Sequence, residues 1–90
     1  MIRYTMHISG KVQGVFYRAS AQKIAHSLSL MGTVKNLPNG DVEVVAEGEK
    51  EALDEFFRWC KEGPTQAEVD SVSRKISSAT QEFTAFTILR

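Results

Sequence analysis

Apolar and polar residues alternate at the start of the chain: Ile2, Tyr4, Met6 and Ile8 are separated by Arg3, Thr5 and His7, with Ser9 following. A period of two marks a strand with one buried face. Gly10 and Gly14 then bracket a short loop. Beyond it, Tyr17, Ala21, Ile24, Ala25 and Leu28 recur at helical spacing and predict an amphipathic helix over 17–30, with Gly32 expected just past its end in the left-handed conformation. Thr33–Leu37 and Asp41–Glu47 are short β-prone runs joined by Pro38-Asn39-Gly40, the composition of a hairpin turn.

Leu53, Phe56, Phe57 and Cys60 fall at i, i+3, i+4 and i+7 and predict a second helix over 50–62. Acidic residues crowd its first turns, Arg58 and Lys61 sit near its end as the helix dipole favours, and Gly63-Pro64 stops it. Ala67–Ile76 and Phe83–Leu89 read as two last strands around a polar turn, Ser77–Gln81. The apolar phase slips near Asp70-Ser71, where a β-bulge is expected. The order β-α-β-β-α-β predicts an α+β ferredoxin-like plait: two helices on one face of an antiparallel four-stranded sheet, with room for an extra C-terminal strand.

Ninety residues suit one domain over 1–90, because two cores would each be too small to bury enough apolar surface. The only cysteine, Cys60, lies on the apolar stripe of the second helix, which makes it a core residue and excludes an intrachain disulfide. No apolar run approaches the roughly 20 residues that span a bilayer, and the N-terminus alternates unlike a signal peptide. A cytoplasmic location is expected.

Charge is balanced, 11 bases against 11 acids, but unevenly placed. Residues 1–40 carry five bases and no acid, whereas 41–62 carry eight acids and three bases. A first half free of carboxylates suits a small anion. Five dispersed bases are too few for a polyanion, so nucleic acid is not an expected partner.

The candidate chemistry lies in Gly10-Lys11-Val12-Gln13-Gly14-Val15-Phe16-Tyr17-Arg18, which leads from a strand into a helix. A helix start offers unpaired N–H groups, and a glycine-containing turn aims neighbouring amides at the same point. Arg18 adds a permanently charged fork suited to phosphate oxygens. Taken alone, the pattern also fits a tight turn beside a surface arginine. The loop holds no nucleophile: the position six before Arg18, where phosphocysteine enzymes need a thiol, is Val12, and His7 and His26 lie outside it. Such a loop suits a reaction whose leaving group is already stable when released, as a carboxylate is.

Gly10–Arg18 resembles the first signature of the acylphosphatase family, glycine-x-valine-glutamine-glycine-valine followed by two residues and arginine. Gly32-Thr33-Val34-Lys35-Asn36, with Gly40 and the valine-rich strand after it, resembles the second. Ala46-Glu47-Gly48, Gly63-Pro64 and Phe86-Thr87-Ile88 also fit, so the resemblance covers nearly the whole chain. It implies hydrolysis of acyl phosphates, with inorganic phosphate as product and inhibitor, by a monomer without metal, cofactor or membrane. It also implies the roles. The backbone amides of Gln13, Gly14, Val15, Phe16, Tyr17 and Arg18, with the Arg18 side chain, bind the phosphoryl group, and Asn36 orients the attacking water. Thr33, where the family often has a large aromatic, is expected to loosen packing near the site. Ser29, where glycine is common, is expected to alter the helix end.

Overall fold

The computed structural model describes residues 1–90. The chain forms β1 (Ile2–Lys11), α1 (Tyr17–Ser27), β2 (Met31–Asn36), β3 (Val42–Gly48), α2 (Lys50–Glu62), β4 (Glu68–Ser78) and β5 (Phe86–Leu89). The strands make one sheet in the order β4-β1-β3-β2-β5, with both helices on the same face. α1 packs over β2 and β5, and α2 over β4, β1 and β3. No helix is long and apolar enough to cross a membrane.

Alternation decides which side chains fill the space between the layers. Tyr4, Met6 and Ile8 of β1 are fully buried, as are Val42, Val44 and Ala46 of β3 and Val34 of β2. Beneath α1 and α2 they meet Tyr17, Ala21, Ala25, Leu53, Phe56 and Cys60. Phe56 sets its ring edge-on to Phe86 at 5.7 Å, a favourable aromatic geometry that ties α2 to β5. Burial pushes the Cys60 thiol up to about 12, as befits a core residue.

The four antiparallel strands of the plait, β4-β1-β3-β2, are joined at the β2 edge by the extra C-terminal strand, which makes the sheet five-stranded and mixed. β5 runs parallel to β2, with Val34 opposite Ile88, while the other three pairings are antiparallel. The bulge falls where the phase slips: Ser9 pairs with Ser71 and Gly10 with Val69, leaving Asp70 as the extra residue. β4 is an edge strand exposed along most of its length, Ile76 included at 53%. The last strand begins at Phe86 rather than Phe83, because residues 79–85 form a loop held by Glu47.

Helix α1 closes differently from the expected glycine cap. Ser29 takes the left-handed conformation (φ 57°), and the N–H groups of Leu30 and Ser29 donate to Ala25 O and His26 O, the paired bonds of a Schellman motif. Gly32 belongs to β2 instead. A Cβ there would stand 1.8 Å from Val45 O, so only glycine fits. Thr33 alternates with buried Val34 and so points to the helix-free face.

Candidate active site

The loop between β1 and α1 is held from below and open above. Val12, Val15 and Tyr17 are buried, and the Tyr17 hydroxyl donates to Cys60 O at 2.7 Å. Burial, with the Cys60 contact, pushes that phenol well above its usual range, so Tyr17 is a neutral anchor. Gly14 lies on the open side at φ 76°, with nothing within 4 Å of where a Cβ would be. Phe16 is left-handed as well (φ 64°) and 73% exposed. A bulky residue held in that conformation costs of order 1–3 kcal/mol, and such strain clusters at functional sites.

What this turn accomplishes is seen in the backbone donors. The N–H groups of Gln13, Gly14, Val15 and Phe16 donate to no backbone or side-chain acceptor of the protein. Tyr17 and Arg18 follow in the first turn of α1, where no intrahelical acceptor is available. Successive free amides at a helix start form an anion-binding concavity, reinforced by the positive end of the helix dipole. No acidic side chain occupies that first turn.

Arg18 and Asn36 line one cleft of about 300 Å³, together with Gly14, Phe16, Ile88 and Arg90. The β2 alternation explains the meeting. Val34 faces the helices, so Asn36, two residues on, faces them too and comes up beside the start of α1. Arg18 forms no salt bridge; Nη1 donates to Leu89 O at 3.3 Å, which leaves most of the guanidinium fork uncommitted. Asn36 Oδ1 is buried without a hydrogen-bond partner, an arrangement that ordinarily costs about 1–3 kcal/mol. No aspartate or glutamate side chain lines the cleft.

Other chemistry-bearing side chains lie elsewhere. His7 contacts Asp41, which also accepts from Ser9 Oγ and Asn39 Nδ2, and none of the four lines the cleft. No group of three or more His, Cys, Asp or Glu residues is gathered as for a metal ion. Sequence reasoning missed Ile88 and Arg90 as lining residues. It also missed the side chain of Gln13, whose Nε2 donates to Leu37 O and Asp41 O at 2.8 Å each.

A two-layer α+β plait whose strand-to-helix loop leaves a run of amides unpaired is the class these features define. Within that class the chain belongs to the acylphosphatase family, whose profile matches residues 4–88. An acylphosphatase of Marinobacter nauticus is 54% identical over 84 residues, covering 93% of this chain and 91% of that protein. One from Methylococcus capsulatus is 47% identical over 90 residues, covering 100% and 98%. The crystal structure of the Bacillus subtilis acylphosphatase superimposes with a TM-score of 0.96 at 34% identity and covers all of both chains.

Proposed function

We infer that this chain hydrolyses the carboxyl–phosphate anhydride bond of acyl phosphates, releasing a carboxylate and inorganic phosphate. The observation that carries the reading is the run of unpaired amides from Gln13 into α1, which opens beside Arg18 on a cleft that Asn36 also lines. Family membership gives that cradle its reaction.

The amides of residues 13–18 and the Arg18 guanidinium hold the phosphoryl oxygens. Asn36 orients a water on the side opposite the leaving group; its carboxamide offers a donor and an acceptor, and a half-turn exchanges their positions. The water oxygen forms a bond to phosphorus as the bond from phosphorus to the carboxyl oxygen breaks, and that electron pair leaves on the carboxylate. The water's proton passes to a phosphate oxygen. Catalysis of this kind is positioning plus electrostatic stabilisation, which is how phosphoryl transfer is mostly accelerated. A carboxylate leaving group needs no general acid, consistent with a cleft that no aspartate or glutamate side chain lines. The enzyme acts as a cytoplasmic monomer of one domain on a small-molecule substrate, without a metal or cofactor.

The direct test is hydrolysis of acetyl or benzoyl phosphate, with an alkyl phosphomonoester as control. Turnover of the acyl phosphates alone, unchanged in EDTA, is the expected result. Strong hydrolysis of the monoester, or phosphate binding without any turnover, contradicts the reading.

A further inference from the structure

The side chain of Gln13 reaches away from its own loop to the neck of the β2–β3 hairpin. There Leu37 N donates to Asp41 O at 2.8 Å and Gly40 N to Leu37 O at 3.1 Å, which closes the turn. The two hydrogens of Gln13 Nε2 go to the same two carbonyls, Leu37 O and Asp41 O, each at 2.8 Å. Each carbonyl therefore accepts two hydrogen bonds, the full capacity of its lone pairs. Leu37 follows Asn36, and Asp41 precedes Val42, the residue opposite Asn36 in the sheet. Gln13 thus grips the backbone on both strands immediately beside the Asn36 position. On its other side it adjoins Gly14, the open point of the loop.

The clamp joins two parts of the site that otherwise arise from different elements. Only a neutral primary amide of this length gives two hydrogens to two carbonyls without bringing a charge. Glutamate would face both carbonyls with lone pairs, methionine matches the size but donates nothing, and asparagine is one methylene shorter. We propose that Gln13 is a positioning residue, whose side chain fixes the phosphate-cradling loop against the hairpin that carries Asn36 and so sets the line along which water meets phosphorus. The inference rests on the roles given above to the loop and to Asn36. Gln13 itself touches neither substrate nor water through its side chain, so it acts entirely through the separation it imposes.

The experiment is a double-mutant cycle of Gln13→Met and Asn36→Ala, read by kcat on benzoyl phosphate and by competitive inhibition by inorganic phosphate. A small displacement between reacting groups costs on the order of 10–100-fold, so Gln13→Met should lower kcat by that factor while the phosphate inhibition constant moves less than about threefold. In the Asn36→Ala background the same change should lower kcat by less than about threefold, because there is no longer a positioned group to misplace. Equal losses in both backgrounds, or lost phosphate affinity with kcat kept, overturn the inference while leaving the role of Asn36 in place. Parental kcat in Asn36→Ala alone overturns that role, and this inference with it. Gln13→Glu supplies an independent readout should the methionine variant not fold. Its carboxylate is repelled by the two carbonyls, whereas its protonated form donates one hydrogen. Its kcat relative to the parent should therefore rise as pH falls through the carboxyl range, and a flat ratio contradicts the clamp.

Discussion

Arg3 of β1 and Glu47 of β3 face each other across the sheet, and the guanidinium Nε donates to Glu47 Oε2 at 2.8 Å. Glu47 is only 4% exposed, and it also accepts from the N–H groups of Thr80 at 2.8 Å and Gln81 at 3.0 Å. Burial alone would push its carboxyl up. The Thr80 N–H, the Arg3 guanidinium and the Gln81 N–H together overcome that and hold it below its ordinary value. A carboxyl depressed in the folded state contributes stability that is fully present above its unfolded value and is lost as pH falls through the folded one. Thermal melting should therefore show stability declining on acidification below the usual carboxylate range. Glu47→Gln should make that decline shallower and lower the melting temperature at neutral pH; an unaltered pH profile would show that Glu47 does not carry the effect.

Ser29 closes α1 in a conformation that disfavours any side chain. Replacing it with glycine removes a left-handed cost of about 1–2 kcal/mol but adds freedom to the unfolded chain, for a net gain of roughly 0.5–1 kcal/mol. A gain of that size corresponds to a melting temperature about 2–8 °C higher in a domain of this length. The substitution lies outside the cleft lining, so kcat should not change. A lower melting temperature would mean that the serine makes a stabilising contact.

Inorganic phosphate should raise the melting temperature by binding the native state alone, by about 2.7 kcal/mol at a hundredfold excess over Kd. Arg18→Ala should abolish the shift. Lysine at position 18 should restore little of it, because a point charge does not reproduce the fork. The ligand-free Arg18→Ala protein should be no less stable than the parent, since a cation in the first helical turn opposes the dipole by about 0.3–1 kcal/mol. An undiminished phosphate shift in the alanine variant would place the anion elsewhere.

Much of the fold was legible because burial here follows simple periods. Tyr4, Met6 and Ile8 announce β1 and its buried face, while Leu53, Phe56 and Cys60 give α2 its orientation and Gly63-Pro64 its end. Even the bulge at Asp70 appears as a slip of phase. The direction of β5 does not, because alternation around Phe86 and Ile88 is the same whether a strand runs parallel or antiparallel to its neighbour. Gly32 is ambiguous for a related reason: glycine marks either a helix end or a close backbone approach, and only the packing against Val45 O decides between them. At the site, Arg18 and Asn36 stand out by motif, yet their meeting depends on which face β2 turns towards α1. The Gln13 clamp was invisible because its acceptors are backbone carbonyls, 24 and 28 residues away in the chain, which any residue type supplies.

The proposed mechanism separates a residue that holds the phosphoryl group, Arg18, from one that places the water, Asn36. It is tested most directly by measuring kcat and phosphate inhibition together in Asn36→Ala. An interaction made with the attacking water is realised in the transition state and not with bound phosphate, so kcat should fall by a factor on the order of 10² or more. The phosphate inhibition constant and the phosphate-induced rise in melting temperature should stay close to those of the parent. Loss of phosphate affinity with kcat retained would contradict the account and make Asn36 part of the phosphate cradle.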